Sequence, residues 1–234
     1  MWAIIKKEVK SYFLSPIGYV FIGIFLLAFS LSFNLEVNYS SGTVVNVKNI
    51  YLYIFTYLPT IIVFSFLIPM ITMRSFAEER KNGTEQLLFT SPVSITKIVI
   101  AKFLSAMTVV LIAVLSTLMY LIIVCCFGMP DIPSVLVALF GFLLLCMAYT
   151  AFGIFASSLT ENQIIAGMIS IITFVLTWVL PVFIPKAEGF SLIGMFNKFT
   201  TGQIDVAHTI TFVALTILCL VLTIIILQRR KSAK

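Results

Sequence analysis

Long apolar runs recur from one end of this chain to the other. A helix needs about 20 mainly apolar residues to cross the hydrocarbon core of a bilayer. In lipid, only helices and closed barrels satisfy every backbone hydrogen-bonding group, and runs of this length do not alternate as barrel strands do. We therefore predict an all-α, polytopic membrane protein. The composition agrees, because only 10% of the residues are charged, whereas soluble domains carry about a quarter.

The chain is predicted to form a single transmembrane domain, residues 1–234, with six spans. Of its 15 Lys and Arg side chains, twelve fall on one side of the membrane when both termini are placed there. This bias predicts cytoplasmic termini in a cell membrane, which we expect to be bacterial. The basic residues do not gather on one face, which argues against nucleic-acid binding. The predicted spans are 17–35, 51–73, 98–127, 132–157, 163–184 and 208–227, with a cytoplasmic loop at 74–97.

Residues 1–16 are predicted to form an amphipathic helix that lies on the membrane and ends at Pro16. At helical spacing Trp2 and Tyr12 fall on an apolar face, whereas Lys6 and Lys10 fall on the opposite face. Such a helix binds the headgroup layer through buried apolar side chains and attraction to anionic lipid. The other interpretation, a basic flank that only sets the topology, stays open.

Few groups in the chain could carry out chemistry. No acidic or basic side chain falls near the middle of a predicted span, and ion-coupled carriers commonly keep such groups for function. The four cysteines have no spacing suited to zinc. No phosphate-binding loop of the G-x-x-x-x-G-K-[ST] type is present. We predict no catalytic residues, no metal site and no cofactor bound by this chain, and hence no enzyme activity of its own.

Hydroxyl-bearing residues recur in the second and fifth predicted spans. Two interpretations are open: these residues pack between helices, as small polar residues commonly do in membranes, or they line a mildly polar path for an amphiphile. The candidate path residues are Thr56, Thr60, Ser65, Ser170, Thr173 and Thr177.

The loop at 74–88 is densely charged although it lies between two apolar runs. Residues 74–81 can continue the second span as a helix, and Gly83 is a natural stop because a left-handed C-terminal cap favours glycine. Thr84 can then cap a second short helix. Mixed charges on one side and Phe76 on the other predict a surface that docks another protein. The alternative is a solvated charged loop.

The same loop carries a family resemblance. The string Glu78-Glu79-Arg80-x-x-Gly83-Thr84-Glu85-x-Leu87-Leu88, followed by Ser91-Pro92, resembles the permease subunits of type-2 ATP-binding-cassette exporters. The stretches at 6–16 and 196–205 also fit the branch that includes the gliding-motility and nitrous-oxide-reductase-maturation permeases.

The resemblance implies a function for the loop. In that family a coupling helix after the second span inserts into a separate ATPase, which binds ATP and Mg, and two permeases join two ATPases. The resemblance implies that residues 74–90 receive conformational force from the ATPase and that 1–16 form an elbow helix. It also implies that the second and fifth spans meet a second permease copy, identical or related, and that 190–200 form an outer element. The implied coupling residues are Glu78, Glu79, Arg80, Gly83, Thr84 and Glu85, beside Phe76 of the docking surface.

Two alternatives to an exporter permease were weighed against the sequence. A non-transporting scaffold that anchors an ATPase has the same charged loop, so the sequence leaves this alternative open. A membrane enzyme acting on lipid predicts clustered His, Asp or Glu at one membrane face, and the chain lacks such a cluster.

Overall fold

The computed structural model describes residues 1–40, 54–55, 58–86, 93–128, 130–183, 189 and 191–232. These residues form helices joined by turns, and no strand occurs among them. Six stretches are long and apolar enough to cross a membrane, which confirms the prediction of an all-α polytopic protein with six spans. The helices are α1 Trp2–Leu14, α2 Ile17–Ser40, α3 Leu58–Thr72, α4 Arg74–Lys81, α5 Ile95–Ser116, α6 Leu118–Phe127, α7 Ile132–Leu159, α8 Gln163–Phe183, α9 Leu192–Thr200 and α10 Val206–Ser232.

Two of the spans are interrupted by single turn residues, and a third runs past its apolar stretch. The second span consists of α3 and α4, separated at Met73, and the third consists of α5 and α6, separated at Thr117. The Thr117 hydroxyl donates to the Val114 carbonyl at 2.7 Å. Helix α2 continues beyond the apolar run of the first span to Ser40, and in this extension Asn38 donates to Asn34 one turn earlier, at 2.7 Å. A helix can therefore extend into the polar layer where the hydropathy of the sequence has already fallen.

The second and fourth spans form the interior of the bundle. About 61% of each is buried within the protein, against 22–33% for the other four spans. Helix α7 packs on α3, α4, α5, α8, α9 and α10. The remaining spans present apolar side chains outwards, as expected for helices that face lipid.

Glycines on α7 allow this close packing. A Cβ at Gly153 would lie 2.1 Å from Oγ1 of Thr72 at the end of α3, and a Cβ at Gly141 would lie 2.5 Å from Cβ of Phe199 in α9. Both contacts are shorter than two heavy atoms allow, so only glycine fits. The first contact lets α7 approach the end of α3 closely, as small residues at the interfaces of membrane helices commonly do.

The charged residues separate towards two ends of the bundle. Ion pairs join α1, α4, α5 and α10 at one end, which we call the charged end. Both Trp2–Leu14 and the last turn of α10 lie there. At the opposite end Asp205 accepts from the Ala207 amide and faces His208 and Lys198. The two ends of the described chain therefore lie on the same side of the bundle.

Candidate functional site: the charged helix and its contacts

Helix α4, Arg74–Lys81, is the charged segment that the sequence predicts to be a docking surface. Its first turn is buried: Ser75, Phe76 and Ala77 are each less than 5% exposed. The Phe76 ring belongs to an apolar cluster with residues of α5, α7 and α10. Phe76 was predicted to lie on a surface for a partner, but the structure places it inside the protein's own core. Its side chain supports α4 from beneath.

Lys102 of α5 joins α4 to two other helices. Its side chain is 2% exposed, and its ammonium Nζ donates to the Ser75 carbonyl at 2.7 Å, to Glu79 Oε1 at 2.8 Å and to Glu8 Oε1 at 3.2 Å. Nζ also lies 5.1 Å from the centre of the Phe76 ring. An ammonium has three N–H donors, so all three are used. A buried charge needs such partners, because an isolated one is very costly to remove from water.

Ser157 of α7 holds the start of α4. Its Oγ accepts from the amides of Phe76 at 3.0 Å and Ala77 at 3.1 Å, and donates to the Met73 carbonyl at 2.9 Å. The first amides of a helix have no partner within it, and a hydroxyl usually supplies one from the preceding residue. Here the hydroxyl comes from another helix, more than 80 residues along the chain.

Two ion pairs hold the other end of α4 and the residues after it. Arg80 Nη2 lies 2.6 Å from Glu161 Oε1 in the turn after α7. Arg230 Nη1 near the end of α10 lies 3.6 Å from Oε1 of Glu85, whose side chain is only 8% exposed. The charged segment is therefore attached to the bundle at its buried first turn and through the ion pairs of Glu79, Arg80 and Glu85.

The turn after α4 has the backbone that its glycine predicts. Gly83 has φ +70°, its amide donates to the Arg80 carbonyl at 3.1 Å, and a Cβ there would meet no atom. The expectation that Gly83 ends the helix in a left-handed conformation is confirmed. The Thr84 hydroxyl donates back to the Glu79 carbonyl at 3.1 Å. Most of the second short helix predicted after Thr84 lies outside the described residues, which omit 87–92.

Helix α1 is attached to the bundle at two points. The Glu8 carboxylate lies 3.2 Å from the Lys102 ammonium. Tyr12 is 7% exposed, and its hydroxyl donates towards the Ile71 carbonyl at 3.5 Å. Burial, aided by the negative charge of Glu8, raises the pKa of Tyr12 far above its usual value, so the hydroxyl stays protonated. The amphipathic helix is thus part of the charged end.

A cleft of about 570 Å³ that contains several charged side chains lies between α1 and α4. Lys7 and Glu8 line one wall, and Arg74, Glu78 and Asn82 line the other. Arg74 forms a fork with Glu78, with N–O distances of 2.8 and 3.2 Å. Acidic and basic groups are mixed within the cleft, so it is suited to a partner that carries both signs of charge and not to one small ion.

A family model that matches most of the chain decides its family. A model of the ABC-2 family of transporter proteins matches residues 25–227, from inside α2 to near the end of α10. The chain belongs to the ABC-2 transporter family. Among curated proteins, none matches it. The protein is therefore a multi-pass permease component of an ABC system and not its ATPase, and family membership implies association with an ABC ATPase subunit.

The candidate path residues of the second span are engaged inside the permease. Thr60 shares a hydrogen bond of 2.8 Å with Ser32 of α2, and Ser65 donates to a carbonyl of its own helix at 2.9 Å. Both border a space of about 10 Å³ among aromatic rings, which has room for roughly one water molecule. Thr56 lies outside the described residues.

The candidate path residues of the fifth span also bond within the permease. Ser170, Thr173 and Thr177 each donate to a carbonyl of α8 at 2.7–3.0 Å. The Thr177 hydroxyl additionally lies 3.5 Å from that of Tyr149 in α7. Among the candidate path residues that the structure describes, Thr60 and Thr177 therefore contact a hydroxyl of a neighbouring helix, whereas Ser65, Ser170 and Thr173 bond to carbonyls of their own helices.

The functional residues that sequence reasoning missed are those that connect elements. Lys102 lies near the start of the predicted third span, 98–127, and was not among the predicted coupling residues. Its signal was a basic residue well inside the helix Ile95–Ser116, beyond Lys97 near the helix start. Ser157 was not among the predicted site residues, and no local pattern distinguishes it from Ser158 beside it.

Proposed function

We propose that this permease is the membrane subunit of an ATP-driven exporter and that α4 receives force from a separate ATPase. The ATPase would bind the ATP and Mg, since this chain has no phosphate-binding loop. In this proposal the charged end faces the cytoplasm of a bacterial cell, as the basic bias of the sequence favours. The proposal also assigns the permease to the gliding-motility and nitrous-oxide-reductase-maturation branch, for which an ATPase gene beside its own would be expected.

One observation carries the proposal: α4 is a charged helix whose inward side is fastened to several spans. Lys102 joins it to α1 and α5, and Ser157 joins it to α7. A solvated loop would need no such attachments. A force applied to the outward side of α4 would reach three other helices through short, buried contacts.

The outward side of α4 and the adjoining cleft are the proposed docking surface. Lys81, Asn82, Gly83 and Thr84 are exposed at the turn, and the cleft beside them has mixed charges. Charged groups at the rim of an interface mainly set orientation and association rate. We assign partner contact to this turn and to Glu78, and we assign internal support to Phe76 and Glu79.

The proposed exporter contains two permease copies. Helix α8 has an exposed apolar face that includes Ile164, Met168, Ile172 and Leu176, each at least 50% exposed. We assign this face to the second copy and place the translocation path between copies. Cysteine scanning along this face checks the assignment: efficient cross-links between copies in membranes support it, and none at any position would contradict it.

The docking surface is tested with a charge reversal that leaves the described ion pairs between α4 and the other helices intact. Glu78→Lys changes a side chain that is 36% exposed and whose ion pair among the described residues is with Arg74 of the same helix, so the permease should fold. We expect its association with the cognate ATPase to weaken at least about tenfold, or roughly 1.4 kcal/mol. Lys231→Glu, an exposed reversal at the charged end away from the cleft, is the control. Unchanged co-purification and ATP hydrolysis in Glu78→Lys would contradict the docking role.

Transport itself is tested with the complex in lipid vesicles. ATP-dependent movement of an amphiphilic lipid, peptide or drug probe across the bilayer is the expected result. If the ATPase binds and hydrolyses ATP but no probe moves, the non-transporting scaffold is the better description.

A further inference from the structure

A side-chain hydroxyl is inserted into the backbone ladder of the second span. In an uninterrupted helix the Ala77 amide would donate to the Met73 carbonyl, four residues earlier. Here Oγ of Ser157 stands between them, accepting from Ala77 at 3.1 Å and donating to Met73 at 2.9 Å. Insertion of a side chain into the ladder is a recognised cause of helix bends. The inserted hydroxyl therefore separates α4 from α3 at Met73.

The same residue attaches α4 to α7. A second amide of α4, that of Phe76, donates to the same oxygen at 3.0 Å. The opposite end of α4 is joined to the turn after α7 by the pair of Arg80 and Glu161. Helix α4 is thus attached to α7 or to the turn after it at both of its ends. The backbone hydrogen bond from Ala77 to Met73, which would have continued α4 into α3, is replaced by the two bonds to the Ser157 hydroxyl.

The position of α7 makes this attachment consequential. Its span is 61% buried, and it packs on α8, α9 and α10 as well as on α3. Gly153, one turn before Ser157, brings α7 into close contact with Thr72 at the end of α3. A displacement of α7 would therefore shift its contacts with most of the other helices in the bundle.

We propose that Ser157 is a positioning residue. Through it, a movement of α4 is transmitted first to α7 in the fourth span and not to α3 in the second span. The hydroxyl keeps α4 registered on α7 and lets it pivot against α3. This inference rests on the proposed function for the origin of the force, whereas the registration of α4 on α7 is independent of any ATPase.

Two distances between spin labels test the proposal in the full permease, with its four native cysteines replaced by alanine. Labels at Lys81 and Leu159, both exposed, measure α4 against α7. Labels at Lys81 and Phe66, which is 50% exposed, measure α4 against α3. We expect ATP binding by the cognate ATPase to change the second distance and to leave the first almost unchanged.

Removal of the hydroxyl should loosen α4 even without the ATPase. Ser157→Ala is expected to broaden the narrow Lys81–Leu159 distance distribution and, in the complex, to lower permease-dependent ATP hydrolysis about tenfold, because buried amides lose their partner. Ser158→Ala is the matched control, since Ser158 is equally buried but donates only to the Phe155 carbonyl of its own helix, at 2.7 Å. It should leave both distributions and the hydrolysis rate unchanged.

Each outcome decides a different point. If the Lys81–Leu159 distance distribution of Ser157→Ala is as narrow as that of the wild-type permease without the ATPase, the positioning role is wrong whether or not an ATPase binds. If the complex moves α4 against α7 and not against α3, the order of transmission is wrong. Should Ser157→Ala fail to fold, Glu161→Gln removes the exposed anchor at the other end of α4. No broadening in that variant would also overturn the proposal. Failure of the wild-type permease to bind any ATPase refutes only the proposed function.

Discussion

Replacing Lys102 with methionine should destabilise the permease by about 2–4 kcal/mol. Methionine fills a similar volume but leaves Glu79 and Glu8 without their shared cation. Breaking a fully buried ion pair by removing one partner costs about 3–5 kcal/mol. The two carboxylates are 21% and 18% exposed, so water relieves part of that cost and the expected value is lower.

A double-mutant cycle isolates the contact with Glu79. Glu79→Gln alone should cost about 1 kcal/mol, because Lys102 keeps the Ser75 carbonyl and Glu8 as acceptors. Once Lys102 is methionine, the same change should cost nothing or stabilise, since it removes an unpaired charge. The coupling energy between the two positions should be about 1–2 kcal/mol.

The measurement is equilibrium unfolding of the purified permease in detergent, followed by the fluorescence of Trp2 and Trp178. Lys97→Met is the control, because Lys97 is exposed on the same helix. An exposed substitution of this kind should change the free energy of unfolding by less than about 0.5 kcal/mol. The same samples show whether the ATPase still co-purifies.

The reasoning fails if Lys102→Met costs no more than Lys97→Met. It also fails if Lys102→Met and Glu79→Gln are additive within about 0.3 kcal/mol, which would mean that the two side chains do not interact in the folded permease. Either result would mean that Lys102 does not transmit movement from α4 to α1 and α5.

Two glycine substitutions test the backbone geometry of the same region. Gly83→Ala should lower the free energy of unfolding by about 1–2 kcal/mol through its left-handed backbone alone, since a Cβ there meets no atom. Gly23→Ala is the control, because a Cβ at this helical position also meets no atom, and it should be neutral or slightly stabilising. Equal costs for the two variants would contradict the left-handed conformation at Gly83. Gly153→Ala should cost about 1–3 kcal/mol by overpacking against Thr72, and Thr72→Ala in the same chain should recover part of that stability. Thermal unfolding measures both, and a tolerated Gly153→Ala without that rescue would show that α3 and α7 are not in close contact.

Features that depend on neighbouring residues in the chain could be predicted from the sequence. The apolar runs specify helices because lipid leaves the backbone no other partner. The helix at 74–81 and its stop at Gly83 follow from local charge and from the conformational freedom of glycine, and the structure has both. The resemblance of the charged loop to type-2 permeases is confirmed at the level of the ABC-2 family.

Residues whose partners lie far along the chain could not be assigned in this way. Phe76 was expected on an outward surface, because a short amphipathic pattern does not say which side meets the bundle. Lys102 bonds to Glu8, 94 residues away, and Ser157 bonds to the Phe76 amide, 81 residues away. No periodicity within one helix reports such pairs.

The sequence by itself determined that this chain spans a membrane six times and carries one charged helix with a glycine stop. These properties come from transfer of apolar side chains into lipid and from local backbone preferences, which act within a single segment. Only the tertiary structure decided which side of that helix is buried and that Ser157 of the fourth span accepts hydrogen bonds from amides in its first turn. It also decided that the buried Lys102 pairs with a carboxylate from each of two other helices, Glu8 of α1 and Glu79 of α4. Those properties exist only when separate helices pack. A buried charge needs an oppositely charged or hydrogen-bonding partner, and a buried backbone amide needs an acceptor, and here both partners come from distant parts of the chain.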